Sequence, residues 1–133
     1  MADLIRILIV DDEPSVADAL RLILEENGYE AVAVGSAKQG IEELYGQRFD
    51  ITITDLRLPD TSGLDFVRQI RENESLCSTI ILITAYRTPQ LVAEAMSLGV
   101  AEVLPKPFSP SALLRAVTSA VSAEGQSVGS KGN

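Results

Sequence analysis

The stretch Ile5-Arg6-Ile7-Leu8-Ile9-Val10-Asp11-Asp12-Glu13-Pro14 holds the step from which the rest of the chain is built. Five of its first six residues are Ile, Leu or Val, a short apolar run suited to a strand buried on both faces. Three acids end that run, and Pro14 follows where a helix can open, because a proline's missing N–H costs nothing at the first helical position. Val16, Ala19, Leu20, Ile23 and Leu24 then recur at three and four residues, giving an amphipathic helix that stops at Asn27-Gly28. One buried strand leading directly into one helix predicts a β–α repeat.

The same step recurs. Glu30 to Val34 is the second expected strand, and Ser36 can cap a helix with Ala37, Ile41 and Leu44 on its apolar face, ending at Gly46. Asp50 to Thr54 is the third, although its Ile/Thr alternation imitates a half-exposed antiparallel strand. The loop from Asp55 to Gly63 leads to a helix carrying Leu64, Val67 and Ile70. Thr79 to Thr84 is the most apolar strand, followed by a helix with Leu91, Val92, Ala95 and Leu98 that stops at Gly99. Ala101 to Leu104 is a short last strand. Pro105 at its end would break a central ladder, which predicts an edge position. Ser109-Pro110 opens the final helix, lined by Ala112, Leu113, Ala116, Val117, Ala120 and Val121. Five strands alternating with five helices predict an α/β fold, a three-layer parallel sheet covered on both faces. From Ala123 to Asn133 the chain is rich in Gly and Ser and reads as a flexible tail or the start of a linker.

Composition narrows the function. The chain has 133 residues, with 11 Lys+Arg against 19 Asp+Glu and no His, for a net charge of −8. Such an acidic surface repels phosphate backbones and argues against direct nucleic acid binding. Without histidine there is no Ser-His-Asp triad and no His-ligated zinc. The single Cys77 cannot close an internal disulfide, which fits a reducing compartment. No apolar run approaches the ~20 residues of a membrane span, and Asp3 and Arg6 interrupt the only early apolar segment. A soluble cytoplasmic protein, with no membrane partner, is expected.

In an open α/β sheet, ligands bind at the carboxyl ends of the strands. Asp11 and Asp12, with Glu13, stand after the first strand and Asp55 after the third. Thr84 ends the fourth, and Lys106 follows the fifth. Singly, each has a plain structural role: acids favour helix N-termini, and a hydroxyl can satisfy strand-end backbone. Jointly, three carboxylates on one rim repel one another unless a cation sits among them. Carboxylates with water and phosphate oxygens suit Mg²⁺, while a lysine and a hydroxyl beside them suit phosphoryl oxygens. The chemistry suggested is phosphoryl transfer to an aspartate, assisted by a divalent ion.

Four segments then carry a family resemblance: Ile7 to Pro14, Thr54 to Gly63, Ile83-Thr84-Ala85-Tyr86, and Leu104-Pro105-Lys106-Pro107-Phe108. Together, in order and at strand ends, they make the chain resemble a two-component response-regulator receiver domain over about residues 4–122. The resemblance implies a flavodoxin-like sheet of order 2-1-3-4-5. It implies Asp55 as phosphoacceptor, and Asp11, Asp12, Asp55 and the backbone carbonyl of Arg57 around Mg²⁺, with Mn²⁺ as an alternative. Asp12 would be the more direct ligand of the acidic pair, and Asp11 would act partly through water. Thr84 becomes the switch hydroxyl, Lys106 the lysine that pairs with a phosphoryl oxygen, and Lys106-Pro107 a cis peptide.

The implied partners are a sensor histidine kinase or phosphotransfer protein and a downstream output domain or partner, with a homodimer possible. Such a domain is a signalling switch and no enzyme beyond its own phosphorylation and dephosphorylation. The Leu104 to Phe108 ending resembles that of receivers in transcription regulators. Three positions depart from or qualify the pattern. The family commonly carries Tyr or Phe three residues before the lysine, and here that position is Val103. Arg57 and Tyr86 occupy positions associated with water access, and two large side chains there imply slow dephosphorylation. Two other readings compete: a receiver degenerated into a constitutive interaction module, and a phosphatase with an aspartate nucleophile. The latter typically needs a second Asp two residues on, where this chain has Arg57.

Overall fold

A computed structural model describes residues 4–131, and side-chain surroundings for residues 4–122. Five strands and five helices alternate: β1 (Arg6–Val10), α1 (Pro14–Glu26), β2 (Glu30–Val34), α2 (Ala37–Gly46) and β3 (Ile51–Asp55), then α3 (Gly63–Glu72), β4 (Thr79–Thr84), α4 (Pro89–Ser97), β5 (Glu102–Pro105) and α5 (Pro110–Lys131). All strand pairs are parallel, and the sheet runs β2-β1-β3-β4-β5. The expected fold class and strand order are those observed. β5 lies at an edge, where Pro105 withholds an N–H from no neighbour.

Alternation along the strands builds two cores. Leu8, Val10, Ile80 and Leu82 point to the layer of α2, α3 and α4, where they meet Leu44, Phe66, Val67 and Ile70. Ile7, Ile9, Ile51, Ile53, Ile81 and Ile83 point the other way, onto Leu20 and Leu24 of α1 and Leu113 and Val117 of α5. Burying one such side chain contributes roughly 1.5–3 kcal/mol, so the two layers supply most of the gross stabilisation. Thr52 and Thr54 are fully buried in register with Leu8 and Val10. Their hydroxyls are satisfied, Thr52 Oγ1 lying 2.9 Å from Ser78 Oγ and Thr54 Oγ1 donating to the Asp55 carbonyl at 3.0 Å. The Ile/Thr alternation of β3 therefore belongs to a strand buried on both faces.

Local signals set most helix starts. Ser36, Ser62 and Thr88 cap α2, α3 and α4 by accepting from the N–H groups of Gln39, Asp65 and Leu91. Gly28 and Gly99, with φ of 91° and 80°, follow the ends of α1 and α4 in the left-handed region that glycine favours. Two strands are shifted by one residue from expectation. β3 includes Asp55 and β5 includes Pro105, because each is extended by pairing with β4, Asp55 with Ile83 and Pro105 with Thr84. The last helix is longer than expected. α5 runs on to Lys131 through the segment read as tail or linker, since Ser and Gly lower helix propensity without removing a hydrogen bond as proline would. Residues 132 and 133 of that segment lie outside the described residues. Among the described residues no helix is long and apolar enough to cross a membrane.

Candidate functional site

The parallel sheet brings four strand ends to one rim. The Asp11 N–H continues the ladder by donating to the Val34 carbonyl at 3.0 Å, so its side chain is fixed just beyond β1. Its Oδ1 accepts from the Glu13 N–H at 2.9 Å. Asp55 is the last residue of β3 and is 7% exposed. The chain must turn sharply behind it. Gly63 N–H donates to the Leu56 carbonyl at 2.6 Å, and a Cβ on Gly63 would overlap the Asp55 carbonyl. Only glycine lets α3 begin this close to the strand end.

Lys106 reaches in from beyond β5. Its Nζ lies 3.1 Å from Asp55 Oδ2, 3.3 Å from Asp11 Oδ2 and 3.3 Å from Glu13 Oε1. Burial alone would lower its pKa, but the Asp55 hydrogen bond, the charges of Asp11 and Asp55 and the Glu13 hydrogen bond outweigh that and hold it above the ordinary lysine value. The Lys106-Pro107 peptide is cis. Burial pushes the Asp11 carboxyl upward, and Asp55 adds to this. The Glu13 N–H and Lys106 offset part of the effect without cancelling it. Thr84 is 1% exposed, and its Oγ1 accepts from the Tyr86 N–H at 3.0 Å. A cavity of about 100 Å³ opens among Asp55, Arg57, Thr84, Ala85, Tyr86 and Lys106.

The acidic cluster fits a hard cation. One carboxylate oxygen from each of Asp11, Asp12 and Asp55 lies within 4.8 Å of the others. Asp11 Oδ2 is buried and is met by the Lys106 ammonium as an ion pair at 3.3 Å. Lys106 is one cation against the three carboxylates of Asp11, Asp12 and Asp55, so the cluster keeps a net negative charge that a bound cation would offset. An all-oxygen donor set suits Mg²⁺ or Mn²⁺.

The structure thus brings Asp11, Asp12, Asp55, Thr84 and Lys106 to one rim, with Arg57 two residues past Asp55 beside the same cavity. Glu13 carried no role in the sequence. It occupies the N-cap position of α1 but makes no side-chain cap, and its carboxylate turns to Lys106 instead. The Arg57 guanidinium lies 4.9 Å from the centroid of the Tyr86 ring. Both residues are expected near the site, but that they touch depends on two loops meeting. Val103 is 4% exposed and packs in the core with Ile80 and Leu82.

Comparisons with known proteins converge. The family model described as the response regulator receiver domain matches residues 7–118. The alginate biosynthesis transcriptional regulatory protein AlgB of Pseudomonas aeruginosa is 36% identical over 108 residues, 81% of this chain and 24% of its own length. The DNA-binding response regulator MtrA of Mycolicibacterium smegmatis is 31% identical over 112 residues, 84% of this chain and 48% of its own. The crystal structure of a response regulator receiver protein from Pseudomonas putida is similar with a TM-score of 0.82 and 34% identity, covering 89% of this chain and 98% of that one. The chain spans about a quarter to a half of the length of these two curated relatives.

Proposed function

The chain belongs to the response regulator receiver domain family, and on that premise we propose that Asp55 accepts a phosphoryl group from a phosphohistidine on a sensor kinase or phosphotransfer protein. The observation that carries this is Asp55 Oδ2 held 3.1 Å from Lys106 Nζ, within one acidic cluster and beside one small cavity. A carboxylate oxygen of Asp55 attacks phosphorus. The P–O bond forms as the P–N bond breaks, and the departing imidazole keeps the bonding pair and takes up a proton from solvent. Lys106 donates to a phosphoryl oxygen, and the Thr84 hydroxyl turns to donate to another. Asp11, Asp12, Asp55 and the Arg57 carbonyl would hold Mg²⁺, or Mn²⁺, which when bound offsets the negative charge on the transferring group.

Acyl phosphate on Asp55 brings about two negative charges and new acceptor oxygens to this rim. Drawing Thr84 and Lys106 toward them biases the β4–α4 loop and the face formed by α4, β5 and α5. The domain acts on its own carboxylate and turns over no separate substrate. Residues 4–122 form the receiver, and residues 123–133 begin the linker to an output domain or partner; of the similar proteins, AlgB is a transcriptional regulatory protein and MtrA a DNA-binding response regulator. A cytoplasmic location fits a kinase-fed switch, and a homodimer through the α4 to α5 face is part of the same reading. The degenerate-module reading is disfavoured by the intact Asp12, Asp55, Thr84 and Lys106. The phosphatase reading is disfavoured by Arg57 where an acid would stand.

The test is incubation with Mg²⁺ and acetyl phosphate, followed by intact-mass measurement. Wild type gains one phosphoryl group, and Asp55→Asn gains none. No gain in wild type, or equal gain in Asp55→Asn, overturns the reading. The large Arg57 and Tyr86 side chains beside the cavity predict slow dephosphorylation, and decay within seconds would contradict that prediction.

A further inference from the structure

Two contacts hold Tyr86, and both are made by groups that a phosphoryl oxygen would compete for. Its amide N–H donates to Thr84 Oγ1 at 3.0 Å. Its ring, on a residue 62% exposed, carries the Arg57 guanidinium 4.9 Å from its centroid. Arg57, Thr84 and Tyr86 line the same small cavity as Asp55 and Lys106. Position 103, within β5, is a valine buried in the core and offers no ring to rotate. The β4–α4 loop is also tied to β5 by Arg87, whose Nε donates to the Val103 carbonyl at 3.1 Å.

We propose that the Arg57–Tyr86 stack is a latch on the β4–α4 loop that phosphorylation of Asp55 opens, making Tyr86 the aromatic element of the switch in this chain. The inference rests on Asp55 being the phosphoacceptor. A guanidinium gains more from a charge-assisted bond to a phosphoryl oxygen than from an exposed aromatic face, so the new dianion draws Arg57 off the ring. Thr84, turning inward to the same group, withdraws the acceptor from the Tyr86 N–H. Both restraints on Tyr86 are lost through one charge event, while the Arg87 tie to β5 stays in place. The latch therefore opposes phosphoryl binding in the resting state, and removing the ring should ease it.

Beryllofluoride with Mg²⁺ serves as the phosphoryl stand-in, with its binding read by fluorine NMR. Tyr86→Phe keeps the ring and binds as wild type. Tyr86→Leu frees Arg57 and binds about two- to fivefold tighter, the fold-change equivalent of an exposed cation–π contact. In an Arg57→Gln background that gain disappears. A Tyr86→Leu protein that binds no tighter, or that keeps its gain without Arg57, overturns the latch. Wild type that binds no beryllofluoride overturns the phosphoacceptor reading and the latch with it, whereas wild-type binding indifferent to Tyr86 removes the latch alone. The chain has no tryptophan, so Tyr86→Trp gives a second reading. Its emission changes when beryllofluoride binds, and unchanged emission in a protein shown to bind would also count against release of the ring.

Discussion

Asp11 shows how one residue trades stability for a site. Its carboxylate is 3% exposed, with one oxygen satisfied by the Glu13 N–H and the other met by the Lys106 ammonium. Burial raises its pKa above the ordinary carboxylate value, so the folded chain holds this proton more tightly than the unfolded chain does. Stability from this group is therefore greatest below the ordinary value and is lost as pH rises through the raised one. At neutral pH the charged form is a burden on the metal-free protein. Asp11→Asn should raise metal-free stability at pH 7 by about 1 kcal/mol, measured by urea unfolding, and should narrow its gain on mild acidification. A less stable variant would show that Lys106 already compensates the charge. The acids of this rim were legible because they stand together after strand-like runs. Glu13 was visible as an acid but not as a partner of Lys106, because a contact across 93 residues depends on how β1 and β5 loops converge.

At the level of elements, helix starts were legible because capping is local. The Ser36 and Ser109 signals and Pro14 correspond to observed helix entries. Asp60 shows what local reading cannot supply. From the β3–α3 loop its carboxylate accepts from the N–H groups of Ala37 and Lys38 at 3.0 Å each, closing the free end of α2 from 22 and 23 residues away. Its slight burial would raise its pKa, but those two N–H groups, its own N–H and the Lys38 charge outweigh this and lower it. Stability from this group is present above the ordinary value of about 3.9 and is lost as pH falls through the depressed one. Asp60→Ala should cost about 1 kcal/mol at pH 7, with the difference from wild type shrinking below about pH 4 in pH-resolved unfolding. A constant difference across that range would mean that charge plays no part. α4 is the thinly packed helix. Only Ala95 is buried, and Arg68 to Glu94 and Arg71 to the Leu98 and Gly99 carbonyls tie it to α3. Leu91 and Val92 are only partly buried against the core, and an element so lightly anchored is the one a charge event next door can move.

For the molecule as a whole, two cores flank one sheet, and the acidic rim sits where both layers end. Mg²⁺ that binds only the folded chain stabilises it by mass action, by about 1.4 kcal/mol at ten times its dissociation constant. Thermal melting should therefore shift upward with MgCl₂ in wild type, shift little in Asp11→Asn, and not shift with NaCl at equal ionic strength. An identical response to both salts would reduce the effect to screening of the −8 net charge. The β–α alternation, the parallel sheet, the edge place of β5 and the identity of the rim residues are all readable from the amino-acid order. Those follow from periodicity, proline chemistry and the clustering of acids at strand ends, all of which are local in the chain. The one-residue shifts of β3 and β5, the double burial of Thr52 and Thr54, the Asp60 cap on α2 and the Arg57–Tyr86 stack came from the folded chain alone. Each of these depends on how close two distant segments come, and packing of the two layers against the sheet sets that distance.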